Sequence, residues 1–298
     1  MSARYIIIEA PSGLGLRTQG VEKSAEALLA AGLAERLQAR RGKRVIPAVA
    51  SSTRDFDTLM LNPQAVAEYA IDLAAVLDGV LQRRDFPLVL GGDGSTLLGS
   101  ALALKRCGRR GLLFIGGHAD FYQPSANPTG EIASSVLALA TGRGPRVLIS
   151  IDGESPLFLD DDVVLFGFRD EHESSSDRSQ PLAPGIAAID RAIIHRSGIA
   201  ATSARALARL ESAETGGFWI HFDVDVLDDA AMPAVDYRLG GGLTWEEAEH
   251  LLRAALSSPK ALGLQVVSFN PRLDSGGALA ARLVDMLTAV LPTSGVKN

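Results

Sequence analysis

Gly217–Asp229 reads GFWIHFDVDVLDD, an apolar run of strand length that ends in four carboxylates. Aromatic and β-branched residues without helical spacing make Gly217–Phe222 a buried strand by expectation. On a strand, side chains two apart share a face. Asp223 and Asp225 are therefore expected to project together from its carboxyl end, with His221 on the same side as a neighbour that hydrogen-bonds a carboxylate or simply packs. Two carboxylates side by side repel unless a cation or hydrogen-bond donors stand between them.

Working outward, a second strand-to-loop transition carries the same chemistry. GGHADF at Gly116–Phe121 follows the apolar run Gly111–Ile115, and His118 and Asp120 are again two apart. One imidazole with three carboxylates (His118, Asp120, Asp223, Asp225) suits Mn²⁺, Zn²⁺ or Fe²⁺ better than copper or a thiolate cluster. Either motif alone reads more simply as a helix cap, because Asp is common at strand-to-helix turns. Their joint occurrence after two separate strands favours a site. GGDGS at Gly91–Ser95 lacks the lysine of a phosphate loop and reads as a tight turn, with Asp93 holding the loop through backbone amides.

Strands and helices alternate over the whole chain. Strands are expected at Tyr5–Glu9, Arg44–Val49, Leu88–Leu90, Gly111–Ile115, Arg146–Ile151, Val163–Gly167, Gly217–Phe222 and Ala261–Ser268. Helical spacing places helices at Gly20–Arg41, Pro63–Arg83, Ser95–Cys107, Gly185–Ser197, Ser203–Glu211, Thr244–Ser257 and Ala278–Leu291. Thr244 followed by Glu247 is a capping box, and Pro63 after Asn62 opens a helix. The basic run Arg36–Arg44 reads as a helix C-terminus stopped by Gly42. Repeated βαβ units imply a mainly parallel α/β sheet, either open or closed as an eight-stranded barrel. No linker interrupts the pattern, so residues 1–298 are read as one domain. The loops Pro124–Thr129, Asp152–Pro156 and Asp170–Pro184 each follow an expected strand and are candidate site loops.

Composition narrows the partners. The 298 residues carry a formal charge of −6, which argues against nucleic acid, since phosphate binding needs a basic face. The single cysteine, Cys107, cannot form an internal disulfide, and no stretch reaches the ~18 apolar residues of a membrane span. A soluble, cytoplasmic protein acting on a small molecule is the expectation.

GGDGS, GGHAD and DVDVLDDAAMP resemble the GGDHS, DAHxD and DxD signatures of the ureohydrolases, the arginase, agmatinase and formiminoglutamase superfamily. GLGLRTQGVEKSAEALLAAGL, FGFRDEHE and VVSFNP extend the resemblance along most of the chain. It implies a three-layer fold, with an about eight-stranded, mainly parallel sheet and helices on both faces. It also implies C–N hydrolysis of a guanidino or amidino compound by water held between two Mn²⁺ ions, and often a homo-oligomer. By motif, one ion would take Gly94, Gly116, Asp120 and Asp223, and the other Gly116, His118, Asp223 and Asp225. Gly94 and Gly116 have no side chain to offer. Ala133 stands where a proton-shuttling histidine is usual, and Ser268 where a glutamate pairs with the guanidinium. The resemblance therefore implies one ion or none (Mn²⁺, possibly Zn²⁺ or Fe²⁺), catalytic roles for His118 and Asp120, and no arginase activity in the strict sense. Phe121, Tyr122, Glu131, His172 and Ser268 are the substrate-pocket candidates, with Asp93 and His221 behind them. The alternative is an inactive member that binds a ligand or serves as a partner subunit.

Overall fold

Eight parallel strands form one sheet in the computed structural model, which describes residues 4–169 and 181–291. In chain order they are β1 (Tyr5–Ala10), β2 (Arg40–Arg44), β3 (Phe86–Gly91), β4 (Gly111–Ile115), β5 (Val163–Phe166), β6 (Ala187–Ile189), β7 (Phe218–Asp223) and β8 (Ala261–Val267). Across the sheet the order is β2-β1-β3-β8-β7-β4-β5-β6. The edge strands β2 and β6 do not pair with each other, so the sheet is open rather than a barrel.

The helices are α1 (Ser24–Ala30), α2 (Leu33–Leu37), α3 (Pro63–Gln82), α4 (Leu97–Arg106), α5 (Val136–Ala140), α6 (Arg146–Ile149), α7 (Arg191–Ser197), α8 (Ile199–Ser212), α9 (Trp245–Ser257) and α10 (Ala278–Val290). They cover both faces, which is why the strands read as unbroken apolar runs. Tyr5 and Ile7 of β1 face one core with α1, α2 and α7–α10. Ile6 and Ile8, one residue out of phase, face the other core with α3–α6. Pro63 opens α3, and the capping box of Thr244 and Glu247 opens α9.

Four expectations need correction. Arg40–Arg44 is the edge strand β2, not the end of a helix, and 45–49 are not a strand. All five of its residues are exposed, so no apolar pattern marks it. Backbone pairing with β1 and the 2.6 Å ion pair from Arg41 to Glu9 hold it in place, and a cationic edge discourages pairing with other chains. Helix Gly20–Arg41 is broken into a short 3₁₀ turn, α1 and α2, with Gly32 in a left-handed conformation between the last two. Arg146–Ile151 contains α6 and not a strand: Pro145 starts it, and only Leu148 and Ile151, three apart, are buried. Gly185–Ser197 contains the three-residue strand β6 before α7, whose start is fixed by Asp190 accepting from the Ile193 amide at 2.6 Å.

Helices α3 and α4 touch at Gly99, where an added Cβ would lie 2.8 Å from Leu73 Cβ and 3.0 Å from Ala70 O. Gly99→Ala would stabilise an isolated helix, but here overpacking decides. The expected loss is about 1–3 kcal/mol, read as a lower midpoint in chemical denaturation; an unchanged or raised midpoint would refute this contact.

Candidate active site

The carboxyl ends of β3, β8, β7 and β4, adjacent in the sheet, deliver the site, as expected for an open α/β sheet. Asp223 is the last residue of β7, and its Oδ1 accepts from the Asp225 amide at 3.0 Å. That bond caps a single 3₁₀ turn, Val224–Val226. Asp225 thus lies on a turn and not on the strand, so the two carboxylates meet through a cap rather than through strand period. Asp225 Oδ1 accepts from the Gly117 amide at 2.8 Å, and Oδ2 pairs with His118 Nδ1 at 2.7 Å. Ser268, just after β8, donates its hydroxyl to Asp223 Oδ2 at 2.5 Å. Its φ of +67° is left-handed, uncommon outside glycine, and its amide donates to Gly92 O at 2.7 Å.

These contacts separate the two acids. Burial, and then the Asp225 charge, push the Asp223 carboxyl well above the usual range; Ser268 offsets this only in part. Burial also works against ionisation of Asp225, but His118 outweighs it and holds that carboxyl down to about 2.

His118 and Asp120 lie beyond β4 in irregular backbone, Asp120 at φ +49°, so they do not share a strand face. The Asp120 carbonyl accepts from the amides of Leu137 at 3.1 Å and Ala138 at 3.3 Å, which ties this loop to α5. Both side chains nevertheless line one cavity of about 210 Å³ together with Asp223, Asp225 and Ser268. Gly94, Tyr122 and Glu131 also line it, as do Asn127, Pro128 and Thr129 of the loop Pro124–Thr129.

Other candidates fall elsewhere. Phe121 is 1% exposed and belongs to the core, with the Arg143 guanidinium 5.5 Å from its ring centre. The loop Asp152–Pro156 does not line the cavity, because no strand precedes it. His172 and most of Asp170–Pro184 lie outside the described residues. Asp93 is fully buried and accepts from the amides of Ser95 at 2.7 Å and Gly15 at 3.1 Å; it shapes the loop and does not reach the cavity. His221 stacks on Phe114, ring centres 4.5 Å apart, and among the described residues neither ring nitrogen has a hydrogen-bond partner. It supports β7 by packing, not through a carboxylate.

Asp236 and Tyr237, both on the wall, were not singled out in the sequence. Tyr237 donates to Glu131 Oε2 at 2.5 Å across 106 residues of chain. Burial, and then that carboxylate, push the tyrosine hydroxyl upward in pKa. The apolar-to-acidic step at Val235–Asp236 is the only local signal.

The donor set does not fit two metal ions. A Cβ at Gly94 would meet nothing closer than 3.7 Å, whereas one at Gly116 would lie 3.2 Å from the Phe114 ring, 3.4 Å from His118 O and 3.7 Å from Asp223 Cβ. Gly94 has room for a further side chain and Gly116 only if the Phe114 ring gives way, and neither residue offers a donor atom. Among the described residues no three His, Cys, Asp or Glu side chains converge closely enough to hold an ion: His118 closes on Asp225, and Asp223 on Ser268. His118, Asp223 and Asp225 have the chemistry for one ion, provided those two hydrogen bonds open.

A family model described as the arginase family matches residues 3–290. The arginase of Bacillus caldovelox is 32% identical over 291 residues, covering 94% of this chain and 95% of its own. Its solved native structure superposes with a TM-score of 0.88 at 29% identity, covering 100% of this chain and 99% of that one. The crystal structure of arginase from Bacillus cereus gives a TM-score of 0.85 at 25% identity over 99% of both chains.

Burial lowers the His221 pKa from 6.5 to about 3. The unfolded chain therefore binds the extra proton first, and stability falls as pH drops from about 6.5 towards 3. His221→Phe keeps the ring stack and should lose less stability over that window than the parent, read as thermal midpoints at pH 4.5 and 8. An equal loss in both proteins would contradict a buried neutral imidazole.

Proposed function

The chain belongs to the arginase family, and on that premise we propose that it hydrolyses a C–N bond of a small guanidino- or amidino-type molecule with at most one divalent metal ion. The observation that carries this reading is the convergence of Asp120, Asp223, Asp225 and His118 on one cavity at the ends of β4 and β7. A planar amidinium presents N–H donors in a plane, and carboxylates are the acceptors that match it.

His118, Asp223 and Asp225 would hold the ion, Mn²⁺ or else Zn²⁺ or Fe²⁺. When bound, it would supply Lewis acidity and a lowered pKa for water. Asp120, on the same wall, is placed to orient water and to take its proton on a carboxylate oxygen. Ser268 holds Asp223 Oδ2, and this bond competes with metal for that oxygen. A cytoplasmic setting and a homo-oligomer belong to the same proposal, by likeness to the family.

One observation favours a second reading. Gly94 and Gly116 leave two ligand positions without side chains, and Ala133 and Ser268 occupy positions where the resemblance places a histidine and a glutamate. A member so altered would bind the ligand, or an active subunit, without hydrolysing anything.

Assays for urea or ammonia release from a panel of guanidino and amidino compounds, with Mn²⁺ or Zn²⁺ added, separate the two. Hydrolysis is expected, and Asp223→Asn should abolish it. Binding without release from any compound would establish the second reading. Gly116→Asp should also raise Mn²⁺ affinity in calorimetry; no gain would mean that Gly116 does not face the ion.

A further inference from the structure

Arg169 follows β5, the neighbour of β4 in the sheet, and its half-buried side chain reaches the turn after β7. Its backbone amide donates to Gly117 O at 3.0 Å, in the loop after β4. Its guanidinium donates to the carbonyls of Asp225 at 2.9 Å, Val226 at 3.3 Å and Leu227 at 3.1 Å, on or just past the 3₁₀ turn. It also donates to Leu239 O at 2.7 Å and Gly240 O at 3.1 Å, shortly beyond Tyr237 of the cavity wall. Among the described residues no carboxylate accepts from it. The whole fork is spent on backbone.

Carbonyls that leave a helical turn have no partner within the turn, and a guanidinium carries five N–H donors in a rigid plane. One such fork can therefore serve two segments at once, whereas a lysine offers its donors from a single point. Gly117 lets it approach: an added Cβ there would lie 2.6 Å from Asp225 O and 2.7 Å from Arg169 Nη1. Arg169 thus bonds both sides of the His118–Asp225 pair, the Gly117 carbonyl through its amide and the Asp225 turn through its side chain. The Gly117 amide closes the circuit on Asp225 Oδ1. Because the bonds from Arg169 hold backbone, the His118 and Asp225 side chains can turn to an ion without the two loops parting.

We propose that Arg169 is a positioning residue, whose fork fixes the Asp225 turn against the Gly117–His118 loop and so sets the distance between the two side chains. It touches neither the cavity nor its ligand and acts through Asp225. The proposal rests on the reading of His118 and Asp225 as the groups that hold an ion.

Two readouts on the full chain test it, Mn²⁺ affinity by calorimetry and the His118 ring N–H proton resonance of metal-free protein. An ionised Asp225 only accepts, so His118 Nδ1 carries the proton between them, and a proton held in this way resonates far downfield. Arg169→Met, folded by thermal melting, should lose or shift that resonance and bind Mn²⁺ roughly tenfold or more weakly. Arg169→Lys keeps the charge without the fork and Gly117→Ala pushes the fork aside, and both should follow Arg169→Met. Gly99→Ala, destabilised at a helix contact outside the cavity lining, should keep the parent's resonance and affinity. If Arg169→Met does not fold, Arg169→Lys and Gly117→Ala carry the test. Parent-like resonance and affinity in the folded Arg169 variants, full rescue by lysine, or equal losses in Gly99→Ala would overturn the proposal. If the parent binds no Mn²⁺, the metal reading falls and the resonance alone decides the positioning role.

Discussion

Two carboxylates brought together at the end of a buried strand cannot both remain charged without compensation, and the arrangement around Asp223 and Asp225 follows from that. Asp225 takes the charge, held by His118 and the Gly117 amide from beyond β4. Asp223 is relieved by the Asp225 amide and by Ser268 from beyond β8. The repulsion is thereby resolved by drawing three adjacent strand ends together. Ser268 sits in left-handed backbone to make its bond, a conformation that costs about 1–3 kcal/mol and persists where surrounding structure enforces it. Its amide bond to Gly92 O extends the network to β3.

Much of this was legible in the sequence, and for physical reasons. Strands buried on both faces are continuous apolar runs, so β1, β3, β4, β5, β7 and β8 stood out, and the three motifs sat where those runs end. What escaped is equally physical. β2 is an exposed edge whose residues are all basic or glycine, and β6 has three residues, too few for any period to register. α6 looked like a strand because Val147 and Ile149 are β-branched, although Pro145 marked its start. The site residues Asp223 and Asp225 were found for a partly mistaken reason, since a capped turn rather than strand geometry joins them. Asp236 and Tyr237 were out of reach, because only the folded chain brings their loop against Glu131.

The same strand ends frame the functional account. The family match extends over nearly the whole chain, and His118, Asp120, Asp223 and Asp225 line one cavity at the strand ends. Glycine at positions 94 and 116 offers no donor atom, with open space at 94 and a close ring at 116. Hydrogen bonds of the chain itself join His118 to Asp225 and Ser268 to Asp223. Charge remains: the described lining has five carboxylates, a single imidazole and no arginine or lysine. A lining of this charge attracts cations.

The central claim is that this donor set supports at most one metal ion. Mass-spectrometric metal analysis of protein purified without chelators, before and after incubation with Mn²⁺ and with Zn²⁺, tests it directly. No more than one ion per chain is predicted under every condition. Two ions per chain would contradict the account, because it leaves the second without enough side chains to hold it.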